Sequence, residues 1–249
     1  MSILSLSDWL TSPQGRYLLE WEQAAFDLIV ADVFGYNALQ IGLPEIDFLR
    51  ANRMPFRFAC ARLGEASVRA SEHELPIASA SIDLVVLPHV LEFSRHPHQV
   101  LREVERVLVP EGSVVIAGFN PYSLWGLRRL KAGKRGPFPW RGQYLSPVRV
   151  RDWLTLLGFE TQGGRFGCYA PAVASSKWLE HWHFMDRLGR RWWPMCGAGY
   201  LLHGIKRVHG TRLITPKWQN KRASAKRLSA LAQRNGGVGS ATRKIDGRS

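Results

Sequence analysis

The chain has 249 residues, 45% of them hydrophobic, which allows one large α/β domain or two small ones with a sizeable core. No apolar run approaches the roughly 20 residues of a membrane span; Met1-Ser2-Ile3-Leu4-Ser5 lacks the basic start and long apolar stretch of a signal peptide; and Cys60, Cys168 and Cys196, odd in number and far apart, suit a reduced cytoplasmic protein without a disulfide framework. The net charge is +14, of which residues 217–249 supply +8 through nine Lys/Arg against Asp246 alone.

Ser12-Pro13 is a helix start, with Ser as cap and Pro in the first turn. Tyr17, Leu18, Trp21, Ala25, Leu28, Ile29 and Val33 follow at helical spacing, and Gly35 is the expected stop. Ala38 to Gly42 reads as a short strand running into a turn, with weaker strands at Phe56–Ala59 and Ala66–Arg69. Ile82 to Leu87 reads as a buried strand, with Asp83 placed to accept hydrogen bonds from the loop behind it. Val100, Leu101, Val104, Val107 and Leu108 form the apolar stripe of a helix that starts near Pro97 and is ended by Pro110 and Gly112, the glycine expected at positive φ. Ser113 to Phe119 is another buried strand, Ser146-Pro147 opens a helix closed by Gly158, and Phe159–Thr161 and Tyr200–Val208 are late strands. This alternation predicts an α/β fold with a mostly parallel, doubly wound sheet and helices on both faces, and ligands at the carboxyl ends of the strands.

Residues 71–119 contain Ser71-Glu72, Leu75-Pro76, Asp83-Leu84-Val85-Val86, Leu101-Arg102-Glu103 with Arg106-Val107-Leu108, and Pro110-Glu111-Gly112. In order and spacing this resembles the class I S-adenosylmethionine-dependent methyltransferases of the type 11 kind. The resemblance implies a seven-stranded Rossmann-like sheet and S-adenosylmethionine as cofactor. It further implies that the cofactor lies along Ile41, Gly42, Leu43, Ser71, Glu72, Leu87 and Pro88. Leu87-Pro88-His89 and Gly118 to Gly126 are similar to a bacterial branch of the family, as is Arg191-Trp192-Trp193-Pro194, which extends the likeness over roughly residues 10–218.

The sequence departs from the family at the first loop. Ile41-Gly42-Leu43-Pro44-Glu45-Ile46 keeps one glycine of the usual Gly-x-Gly-x-Gly, the acid expected after the second strand is missing from Phe56 to Cys60, and Ser71 stands where an acid precedes the small residue. These departures imply weak cofactor binding. Asn120-Pro121-Tyr122 invites comparison with the Asn-Pro-Pro-Tyr loop of amino-group methyltransferases, but follows the fifth strand rather than the fourth and reads better as a turn. Trp178, Trp182, Trp192 and Trp193, interleaved with Arg187, Arg190 and Arg191, read as core or lid before nucleobase platform. His181 and His183 do not share a helix face, and His96 and His98 lack a partner set, so no structural metal is expected.

The function these residues suggest is methyl transfer to an unidentified acceptor, a small molecule first, with His89 and then Tyr122 as candidate bases. The rivals are a non-catalytic domain that keeps the fold and an RNA-directed enzyme. No membrane span is expected. The domain is expected over residues 1–218, followed by a basic, disordered tail over 219–249 able to contact nucleic acid nonspecifically. Truncation after Trp218 is expected to leave the melting temperature unchanged and to abolish any salt-sensitive RNA binding. A large drop in melting temperature would place the tail in the core fold.

Overall fold

The computed structural model describes residues 5–133, 136–172, 182 and 184–207. The expectations for the tail over 219–249, for the boundary at 218, and for Trp178, His181 and His183 lie outside these residues.

The strands are β1 (Asn37–Ile41), β2 (Phe56–Ala61), β3 (Val68–Arg69), β4 (Ile82–Pro88), β5 (Leu108–Phe119), β6 (Phe159–Gly167) and β7 (Gly199–Lys206). They form one seven-stranded sheet in the order β3-β2-β1-β4-β5-β7-β6. The five strands β1 to β5 run parallel, and β7 is antiparallel to both β5 and β6. This is the mostly parallel sheet that the alternation of elements predicts.

The helices are α1 (Leu6–Leu10), α2 (Pro13–Val30), α3 (Val90–Phe93), α4 (Pro97–Val107), α5 (Leu124–Ala132), α6 (Pro147–Leu156) and α7 (Phe184–Trp192). The caps read from sequence are present: Ser12 accepts from Gly15 N–H at 3.1 Å and Ser146 from Arg149 N–H at 3.3 Å. Strand periodicity divides the core. Leu39, Ile41, Val85, Leu87, Val114 and Ile116 meet α4 and α6 on one face, while Ala38, Leu84, Val86, Val115 and Ala117 meet α2 on the other. A third cluster, Trp9, Phe119, Trp125, Phe138, Trp140 and Tyr144, collects at the carboxyl end of β5.

Four local expectations change. The first long helix ends at Val30, and Gly35 is needed for close approach instead: a Cβ there would stand 2.4 Å from Asp83 Cβ. Positive φ falls on Glu111 (64°) rather than Gly112, whose own constraint is a Cβ position 2.9 Å from Val109 O. The segment between Leu108 and Ser113 stays in the strand as an irregular bulge opposite Ile82 and Leu84. Among the described residues, 42–55 join β1 to β2 through turns, without the crossover helix that regular alternation implies.

Asp83 holds the start of the central pair. Its Oδ2 accepts from the N–H groups of Tyr36 and Asn37, both at 2.9 Å. Asp83→Ala is expected to lower stability by about 1–3 kcal/mol, because two backbone donors lose a charged acceptor. Asp83→Asn should lose less, since an amide oxygen still accepts. Urea denaturation of the three proteins checks the order.

Candidate active site

The tips of β1 and β4 lie side by side, with Gln40 in register with Val86. Gly42 follows β1 at φ 82° and Leu43 at φ 46°, and the Gly42 N–H donates to Cys60 O at 2.9 Å. A Cβ at Gly42 would meet Val90 Cγ2 at 3.0 Å and Pro88 O at 3.9 Å. The bare backbone of this turn therefore faces the β4–α3 junction.

The turn is clamped from below by Gln40, which is buried in β1. Its Nε2 donates to the carbonyls of Gly42 (3.1 Å), Leu43 (2.9 Å) and Ile46 (2.7 Å), and its Oε1 accepts from Phe48 N–H at 3.0 Å. One amide side chain thus does locally what the N-terminal turn of a helix would otherwise do, which is to satisfy and orient loop backbone.

Among the residues assigned to the cofactor, Ile41, Leu87 and Pro88 are buried, so they offer a ligand backbone rather than side chain. Ser71 and Glu72 are half-buried. Ser71 bridges to Glu74, and Glu72 Oε1 lies 3.5 Å from His73 Nε2. Cys60 and Ala61 close β2 without a carboxylate. The loop beyond β2 instead receives one from the β1 turn: a Cβ built on Gly64 would stand 2.9 Å from Glu45 Oε1.

His89 is 1% exposed and adopts φ 54°, a left-handed conformation uncommon among non-glycine residues though histidine is one of those that enter it more often. Its Nε2 lies 2.7 Å from Glu22 Oε1 and its Nδ1 3.3 Å from Glu92 Oε1. Glu92 Oε1 also accepts from Phe119 N–H at 2.6 Å. The imidazole stacks on Phe119 at 4.2 Å, and Phe119 stacks in turn on Tyr144 at 4.9 Å. Burial on its own lowers the His89 pKa, but the two carboxylates outweigh it and raise it to about 10. His89 is therefore an imidazolium at neutral pH with both nitrogens engaged. For His89 to act as the candidate base, one of these two carboxylate contacts would have to break.

Tyr122 stands apart from His89 and is 69% exposed. It lines an apolar cavity of about 480 Å³ with Leu124, Leu127 and Leu130 of α5 and with Met185 and Trp193. The preceding Asn120 is buried and committed to the fold. Its Nδ2 donates to Met195 O (2.7 Å) and Gly197 O (2.9 Å), and its Oδ1 accepts from Tyr122 N–H at 3.0 Å. This supports the turn reading of Asn120-Pro121-Tyr122. Of the expected core or lid, Trp192 and Trp193 are not core, being exposed, and Trp193 lines this cavity. Sequence reasoning missed the pairing of Glu22 and Glu92 with His89. The available signal was Glu22, a carboxylate four residues after Leu18 and four before Phe26, inside the buried stripe of α2.

Glu92→Gln is expected to destabilise the protein by about 3–5 kcal/mol, as breaking a buried ion pair does. A raised His89 pKa adds stability that is fully present below about pH 6.5 and is lost as pH rises through about 10. The difference in unfolding free energy between wild type and His89→Gln should therefore shrink across that range. A difference that stays constant with pH would show that His89 carries no bound proton.

Residues 50–116 match the family model of a methyltransferase domain. The YafS protein of Escherichia coli is 43% identical over 93 residues, 37% of this chain and 39% of that protein. A Mycobacterium tuberculosis protein is 28% identical over 174 residues, 66% of this chain and 60% of that one. The chain thus spans less than two thirds of these relatives' length. Among solved structures, a chain of the Haloferax volcanii complex that contains the Trm112 methyltransferase activator aligns with a TM-score of 0.57 at 14% identity, over 85% of this chain and all of that one. An S-adenosylmethionine-dependent methyltransferase of Archaeoglobus fulgidus aligns with a TM-score of 0.53 at 16% identity, over 75% and 94%. The seven-stranded sheet with its antiparallel β7 is thus the fold of S-adenosylmethionine-dependent methyltransferases, and the stretch from β2 into β5 matches the methyltransferase domain model.

Proposed function

We propose that the protein transfers a methyl group from S-adenosylmethionine to an unidentified small acceptor with an apolar body. The observation that carries this reading is the bare turn at Gly42, where β1 and the β4–α3 junction converge and a Cβ would crowd Val90. A cofactor fits a cradle of that kind through backbone contacts. Gly42 and Leu43 would flank its methionine end, Ser71 and Glu72 its adenine, and Glu45 would take the place of the carboxylate that β2 lacks at the ribose. Bound there, the cofactor supplies an electrophilic methyl group on sulfur.

The chain's own contribution is proximity and alignment. The apolar cavity at the tip of β5 opens at the same end of the sheet as Gly42, and Leu124, Leu127 and Trp193 would exclude water from an acceptor held in it. Tyr122 places a hydroxyl at that cavity and is the side chain able to hydrogen-bond the accepting atom. His89 serves as a positioning group, because its charge holds Glu92 on the backbone of Phe119.

A non-catalytic binding domain is the second reading, favoured by the Gln40 clamp and by the missing acid on β2. Calorimetric titration of the full chain with S-adenosylmethionine and S-adenosylhomocysteine separates the two. Saturable binding supports the first, and no heat at millimolar cofactor with folded protein supports the second. Glu45→Gln is expected to weaken cofactor affinity by roughly tenfold or more, the usual worth of a hydrogen bond to a charged acceptor. Equal affinities would remove Glu45 from the ribose.

A further inference from the structure

We infer that the face formed by α5 and α7 docks on a lipid bilayer rich in anionic headgroups. Among the described residues, nine of the sixteen exposed large apolar side chains fall within 122–130 and 184–195. Leu124, Leu127 and Leu130 recur every third residue of α5 and border one side of the apolar cavity, and Trp193, just past the end of α7, borders the same cavity. Trp192 is 68% exposed and Trp193 58%. The two helices thus bring aliphatic and indole surface to one mouth. Exposed apolar side chains clustered in this way are the kind of surface that marks an interaction site.

Among the described residues, the exposed charges on α5 and α7 themselves are basic, with Glu20 of α2 sharing a neighbouring cavity with Arg187 and Arg190. Arg128 and Lys131 of α5 and Arg187, Arg190 and Arg191 of α7 are all exposed. The α5 segment contains no acid, and the acid of α7, Asp186, is turned to the body of the protein. There it accepts from Tyr17 O–H at 2.6 Å and from Tyr169 N–H at 2.9 Å. Gly189 seats α7 closely enough that a Cβ would lie 2.3 Å from the Tyr169 ring, which leaves the basic side of the helix outward. Leucines and tryptophans ringed by Arg and Lys match the layers of a bilayer surface: acyl chains, then the interfacial zone where indoles collect, then anionic headgroups. The cavity between the helices, about 480 Å³ and apolar, would admit the end of an acyl chain. The inference does not depend on methyl transfer.

Flotation of the full chain with vesicles of phosphatidylcholine, alone or with added phosphatidylglycerol, tests it. Wild type should float with the anionic vesicles, and Arg190→Glu/Arg191→Glu should weaken that preference at low salt. The basic C-terminal segment also attracts anionic lipid, so the decisive comparison is made at 1 M salt, where the Debye length is about 3 Å. There Trp192→Ser/Trp193→Ser should partition at least about tenfold more weakly than wild type. Circular dichroism checks that each variant is folded. Equal partitioning of wild type and the tryptophan variant at high salt overturns the inference, as does failure of wild type to float at any salt. Binding that vanishes for every protein as salt rises also overturns it and assigns the attraction to the C-terminal charges.

Discussion

A buried imidazolium between two carboxylates ties together the parts of this fold that meet at the carboxyl end of the sheet. Glu22 comes from α2, His89 from the residue after β4, and Glu92 from α3, with the backbone of Phe119 at the tip of β5 added through Glu92. Removing three ionisable groups from water is costly, and the attraction offsets that cost only while the geometry is kept. The left-handed backbone at His89 is part of the same constraint, since it turns the ring toward both acids. The network therefore ties α2 to the β4–α3 junction and to the tip of β5. On the far side of Phe119 the stack continues through Tyr144, so the polar node and the aromatic cluster share one wall.

That wall has a consequence for chemistry. In a site of this kind a histidine after the fourth strand is an obvious proton acceptor, yet here its proton is held by two neighbouring negative charges. Under the proposed methyl transfer, the strand tips would contribute placement rather than a base at this position. The β1 turn follows the same economy of parts. Gln40 satisfies three loop carbonyls and one N–H, so the connection to β2 can do without a helix and still present Gly42 in a defined conformation.

The apolar and basic surface of α5 and α7 lies at this same end of the molecule. Asn120 connects the two regions, because its side chain joins the β5 tip to the backbone of Met195 and Gly197. The segment after α7 is thus anchored to the strand that ends beside the aromatic cluster. Whatever occupies the cavity there is read by side chains from both helices.

The sequence by itself determined where the longer strands run and the helices α2, α4 and α6. Strand runs such as Ile82 to Leu87, the stripe of α4, and the Ser-Pro caps at Ser12 and Ser146 are local patterns whose periodicity and backbone chemistry need no distant partner. The motifs of residues 71–119 likewise carried the resemblance to methyltransferases, since they keep their spacing within one stretch of chain. Only the tertiary structure decided the state of His89, the role of Asn120 and the exposure of Trp192 and Trp193. Glu22 lies 67 residues from His89, and Asn120 lies 75 and 77 from the carbonyls it binds. Protonation and burial are set by which groups are brought together across such separations, and no local pattern of residues encodes that.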